Sequence, residues 1–145
     1  MERLKTVLWV LAAVAFVGFL DASFLAINHL RGVLPPCSII KGCETVTTSV
    51  YSEVLGIPVA LLGAIYYLAI ICLAIYCLQT DNAKLIRVLR RATVIGLVSS
   101  VYFVVLQLFV IKAICIYCMI SAGTSTALFV ISLIYLKQHN HQQAL

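Results

Sequence analysis

Six cysteines occur in this chain of 145 residues, and four of them stand where a thiol can react. Cys115 and Cys118 enclose Ile116 and Tyr117, a spacing that turns both sulfurs to one side of a helical turn and suits a dithiol that opens and closes a disulfide. Cys37 and Cys43 lie in the first long polar stretch. Pro35 and Pro36 stiffen the approach to Cys37, and Gly42 permits a tight turn just before Cys43. Cys72 and Cys77 fall inside an apolar run and read as small packing side chains. If the two outer pairs reach the same side of a membrane, they can exchange disulfides, because exchange needs only a thiolate placed in line with a disulfide. Taken alone, Cys37 and Cys43 suit a structural disulfide as well as a shuttle. A second dithiol on the same face favours the shuttle.

The elements that must position these thiols follow from composition. The chain is 63% apolar and only 10% charged, with a mean hydropathy of +1.12, whereas soluble domains carry about 25% charged residues. An all-α integral membrane protein follows, organised as a single domain over residues 1–145 with no internal repeat. The net charge of +5 does not indicate a nucleic-acid binder, because the basic residues form short clusters between apolar runs rather than one polar face. Four runs match the ~20 residues that a spanning helix needs: about 6–28, 57–78, 92–111 and 115–136. The first is too long for a signal-peptide core and reads as a retained anchor. Asp21 interrupts it. An ionisable group at such depth is a functional candidate, set against the plainer reading of a headgroup-level or capping carboxylate.

The longest polar connection spans residues 29–55. From Glu44 onward Val46, Val50 and Val54 repeat every four residues, with Thr47, Thr48, Ser52 and Glu53 off that line. This pattern predicts a short amphipathic helix, lying in the interface and covering the ends of the spans. Ser49 falls on its inward side, where an ordinary hydroxyl bonded to its own backbone is the plain alternative. Pro58 suits the first turn of the second span, Gly56 and Gly63 would let backbones approach closely, and Tyr66, Tyr67 and Tyr76 read as packing aromatics. The stretch 79–91 is the most basic connection. The tail 137–145 is polar, and its His139 and His141 do not make a metal site, so no metal is expected.

Charge counting orients the bundle. Arg3, Lys5, Lys84, Arg87, Arg90, Arg91 and Lys137 lie at one end, against Arg31, Lys41 and Lys112 at the other. Seven against three places both termini in the cytoplasm. All four reactive cysteines then lie on the extracytoplasmic side of a multi-pass cell (inner) membrane, where disulfides persist. Cys115 and Cys118 begin the fourth span, so the unpaired N–H groups and the helix dipole favour a thiolate there. Lys112 either adds to that field or anchors the interface. Electrons reaching this pair need an acceptor. The sequence carries no haem, flavin or iron–sulfur pattern, so a lipid-soluble quinone between the helices is the economical candidate.

These residues resemble the vitamin K epoxide reductase (VKOR) family over nearly the whole chain. The likeness is carried by Gly18 to Leu25, Pro35-Pro36-Cys37, Gly42-Cys43, Ser49, Tyr51 to Pro58, Gly63 and Cys115-Ile116-Tyr117-Cys118. It implies a four-transmembrane-helix bundle around a quinone, covered by an extracytoplasmic loop and a short interfacial half-helix. It also implies an order of transfer, in which a thioredoxin-fold (DsbA-like) protein gives electrons at Cys37, Cys43 relays them to Cys115, and Cys118 lies against the quinone. Ser49 matches the family's serine or threonine near the loop cysteines and the quinone. Asp21 is a further candidate for cofactor contact. The animal vitamin K reductases carry a tyrosine where this chain has Ala122, and a quinone-binding asparagine whose nearest counterpart is Ser52. The chain is therefore similar to the stand-alone prokaryotic members, which reoxidise a secreted-protein oxidase and reduce ubiquinone or menaquinone. Because the chain stops after the fourth helix, the redox partner is expected to be a separate protein.

Three other readings compete with this quinone-dependent thiol oxidase, which would support disulfide bond formation. A vitamin K epoxide or quinone reductase would run on the same thiols. A small four-helix transporter would use Asp21 as its coupling site and survive loss of the outer cysteines. In a structural membrane subunit, cysteine loss would change stability alone.

Overall fold

The computed structural model describes residues 2–37 and 42–143, with side chains described through residue 135. Lys41 and the side chains of Lys137, His139 and His141 lie outside the described residues. Four helices are long and apolar enough to cross a membrane, so the molecule is an all-α membrane bundle. They are α1 (Glu2–Leu30), α3 (Val59–Thr80), α4 (Ala83–Val105, continued as a π-helical turn over Leu106–Ile111) and α5 (Ile116–Gln143). Between the first two lies a small cap: helix α2 (Gly42–Thr47), a 3-10 turn (Val50–Ser52), and a hairpin of β1 (Glu53–Val54) and β2 (Ile57–Pro58).

Packing inside lipid relies on close contact rather than on expulsion of water, and small residues allow that contact. The face of α1 that turns inward carries buried Ala12, Ala15, Gly18, Ala22 and Ala26, and α3 lies along it. A Cβ on Gly18 would collide with the ring of Tyr67, so glycine is what lets that fully buried tyrosine cross between α1 and α5. Leu8, Leu11, Ile70, Cys77, Ile86, Leu89, Leu128 and Tyr135 complete the core around it. On α3, Cys77 is buried in the core and Cys72 is exposed.

Several boundaries differ from the sequence-based expectation. The third span was expected at 92–111 but begins at Ala83. The Asn82 side chain caps it by accepting the Lys84 N–H at 3.0 Å, and Ile86, Leu89 and Thr93 already point into the core. The basic residues of 79–91 therefore ride on the outer face of a helix, with the connection reduced to Asp81 and Asn82. The fourth helix continues past 136 to Gln143, since nothing in 137–143 (Lys, Gln, His and Asn) breaks a helix as Gly or Pro would. The amphipathic helix expected across Val46, Val50 and Val54 ends at Thr47. Beyond it, Val50 is 88% exposed. The hydroxyls of Thr47, Thr48, Ser49 and Ser52 each bond a carbonyl three or four residues back, which competes with helix propagation. Gly56, expected as a packing residue, has φ +79° and sits at the hairpin turn beside Leu55, a conformation that glycine adopts without steric cost.

Candidate functional site

A disulfide joins Cys37 to Cys43, while Cys115 and Cys118 are free thiols. The four meet at one end of the bundle. Cys43 and Cys115 are fully buried in a shared cluster with Val46, and Cys37, Cys118, Ile111, Ala113 and Tyr117 pack against it. What brings α2 onto the segment between α4 and α5 is Gly42. A Cβ there would fall within the backbone carbonyl of Ile114, so only glycine allows Cys43 to sit so close to the start of α5. Cys37 is half-buried at the outer edge of the cluster and Cys43 is its inner partner.

Cys115 occupies the N-cap of α5, with its carbonyl accepting the Met119 N–H at 3.0 Å. Its thiol is held below the ordinary range, at about 7. The chief cause is a hydrogen bond from the Cys118 thiol; the backbone N–H groups of Cys118 and Tyr117 also contribute, against the opposing effect of burial. Free helix-terminal N–H groups stabilise a thiolate in this way. Ahead of Cys115, α4 ends in its π-helical turn. Lys112 takes a left-handed conformation (φ 55°), and the Gln107 carbonyl accepts both the Lys112 and the Ala113 N–H.

Behind the cysteines lies a cavity of about 370 Å³, lined by Cys118 together with Ala22, Leu25, Ser49, Gln107 and Ser121, among others. Its wall is mostly apolar in area, with serine, threonine and tyrosine hydroxyls, the His29 ring and the Gln107 amide set into it, the character of a site for an apolar cofactor with polar oxygens. Among the described residues, Cys118 is the one cysteine on that wall. Ser49 lines it too, although its hydroxyl donates to the Val46 carbonyl at 2.8 Å. Asp21 does not line the cavity. It lies within electrostatic reach of Cys115 and Cys118, and its buried Oδ2 has no hydrogen-bond partner among the described residues.

Residues 9–133 match the profile of the Vitamin K epoxide reductase family. The chain belongs to that family. Membership makes it a membrane oxidoreductase of the quinone-linked thiol class, and the mostly apolar cavity behind Cys118 suits a quinone ring.

Three features of this candidate site escaped the sequence reading. Tyr117, between the two cysteines, donates from its hydroxyl to the Pro36 carbonyl at 3.2 Å and packs against Phe24 with ring centroids 5.4 Å apart, pinning the segment that carries Cys37. Tyr67, which lines the cavity with Ser121 and Ser125, gathers the hydroxyls of Ser121, Thr124 and Ser125 around its own. Gln107, 3% exposed, accepts the Cys115 N–H on Oε1 at 3.2 Å. It is the one amide in residues 92–111, and that isolation in an apolar run was the available signal.

Proposed function

We propose that this chain is a membrane thiol oxidase that reoxidises a separate thioredoxin-fold partner and passes the electrons through two cysteine pairs to a quinone, so supporting disulfide formation outside the cytoplasm. The observation that carries this reading is the shared burial of Cys43 and Cys115, with half-exposed Cys37 on one side and the cavity-lining Cys118 on the other. That order is the order of an exchange chain.

The steps balance as disulfide exchanges. A partner thiolate attacks Cys37, breaking the Cys37–Cys43 bond and releasing Cys43 as thiolate. The second partner thiol then displaces Cys37, leaving the partner oxidised and the outer pair reduced. Cys43 attacks Cys115 of an inner disulfide, releasing Cys118 as thiolate. Cys37 attacks Cys43, restoring the outer disulfide and leaving Cys115 and Cys118 as the dithiol. A bound quinone supplies the acceptor for the two electrons and two protons of that dithiol. Cys115 and Cys118 then close to a disulfide again. The N-cap position of Cys115 favours its departure as thiolate from Cys43.

The charge count, seven basic residues against three, supports placing the cysteine end outside the cytoplasm. Ala122 and Ser52 both line the cavity. The two positions at which this chain differs from the animal vitamin K reductases therefore face the ligand space, which favours a respiratory quinone of the ubiquinone or menaquinone class over an epoxide. The test is quinone reduction by the purified chain supplied with a reduced thioredoxin-fold protein. Cys118→Ala should abolish it. Cys37→Ala should lose partner-driven turnover while keeping some with a small dithiol. If both variants reduce quinone like wild type, the relay is wrong.

A further inference from the structure

Gln107 lies beside the two cysteines of the inner pair. Its side chain is almost fully buried and borders the same cavity as Cys118. Its Oε1 accepts the backbone N–H of Cys115 at 3.2 Å, and the side chain lies within interaction range of the Cys118 thiol. A carboxamide has one acceptor end and one donor end. With the oxygen committed to Cys115, the amino group is the end left for the Cys118 sulfur. The orientation is fixed from behind as well, because the Gln107 carbonyl closes the π-helical turn by taking the N–H groups of Lys112 and Ala113. Such turns insert one extra residue and re-aim a side chain, often at a functional site.

We propose that Gln107 is the positioning residue of the inner dithiol, holding the Cys115 backbone with its oxygen and donating to the Cys118 sulfur, so that charge released when the pair opens rests on the sulfur facing the cavity. This rests on the reading of Cys115 and Cys118 as the inner redox pair. The need for such a donor follows from the surroundings. The ionisable groups acting on Cys118 are Cys115 on its own helix and Asp21 on α1, and each in its charged form has the same sign as a thiolate. The rest of the wall is mostly apolar. A neutral donor aimed at the sulfur offsets that repulsion, and hydrogen bonds to a charged acceptor are about twice as strong as neutral ones.

The experiment uses the full chain in lipid nanodiscs with Cys115→Ser, which keeps an N-cap residue and leaves Cys118 as the lone thiol of the inner pair. The rate of Cys118 alkylation by N-ethylmaleimide at pH 7.5 is followed by peptide mass spectrometry, which separates it from Cys72 and Cys77. Adding Gln107→Met, which preserves bulk without a donor, should slow Cys118 alkylation about 10-fold, the equivalent of one pKa unit. The reactivity of Cys37 and Cys43 after reduction should not change. Gln107→Glu is the second variant should the first fail to fold. It keeps an acceptor for the Cys115 N–H but turns an oxygen toward the sulfur, and it should slow the same reaction. An unchanged Cys118 rate in a folded variant overturns the proposal and leaves the relay standing. Quinone reduction that survives Cys118→Ala overturns the relay itself, and is read in a separate assay.

Discussion

Gly42 rests on the backbone of Ile114 so closely that no side chain fits between them. This contact holds the cap helix against the loop leading into α5, and through it Cys43 meets Cys115 in one buried cluster. Gly42→Ala should therefore separate the pairs without removing a cysteine. The Cys37–Cys43 disulfide should still form, while disulfide exchange between the pairs falls by roughly 100-fold, the scale of loss that a displacement of about 1 Å can produce. Stopped-flow measurement of partner-driven turnover, alongside a non-reducing gel for the outer disulfide, checks both parts.

Cys115 provides a pH signature. Its thiol is lowered to about 7, first by the hydrogen bond from Cys118 and then by the N–H groups at the start of α5. Thiolate absorbance at 240 nm, taken as the difference between wild type and Cys115→Ser in the fully reduced protein, should titrate near pH 7 rather than at the ~8.5 of a free thiol. Replacing Cys118 by Ala removes the largest contribution and should return the midpoint toward the free value. Because the folded value lies below the unfolded one, the associated stability is fully present above the unfolded pKa and is lost as pH falls through about 7. Dithiol protein should accordingly melt at a lower temperature at pH 6 than at pH 9 on account of this group.

The four spans were legible in the sequence because lipid imposes length and hydropathy on each of them separately. Boundaries were less so. Residues 83–91 look like a connection by charge, yet Ile86 and Leu89 already belong to the core, and long basic side chains can cover a helix face while keeping their heads in water. The cysteines announced themselves by type and spacing. Gln107 and Tyr117 did not, because their meaning lies in contacts made across 8 and 81 residues of chain, which no local pattern encodes. The cap misled for the opposite reason. Its valines follow a helical period, but hydroxyl-to-carbonyl bonds and the Leu55-Gly56 turn override that period.

Tyr117 couples the inner pair to the segment that carries the outer one. Tyr117→Phe keeps the ring against Phe24 and deletes only the bond to the Pro36 carbonyl, a loss of about 0.5–1.5 kcal/mol. Partner-driven turnover should fall a few-fold, seen mainly as a higher KM for the partner, because the Cys37 segment is less fixed. Turnover with a small dithiol should be nearly unaffected. An equal loss with both donors would show instead that the ring orients the inner cysteines.

Tyr67 tests what supports the cavity wall. Its hydroxyl donates to the Ser121 carbonyl at 2.7 Å and touches the hydroxyls of Ser121, Thr124 and Ser125. Tyr67→Phe should cost about 1 kcal/mol, the low end for buried groups left unpaired, since serine and threonine in a helix can turn back to their own carbonyls. Gly18→Val acts on the same contact from the other side, forcing a methyl-bearing carbon into the Tyr67 ring, and should cost about 1–3 kcal/mol as overpacking does. Because both changes act through the seat of one ring, thermal unfolding of the double variant should show less than the sum of the two losses. Simple additivity would mean that Gly18 matters to the α1–α3 contact for a reason other than Tyr67.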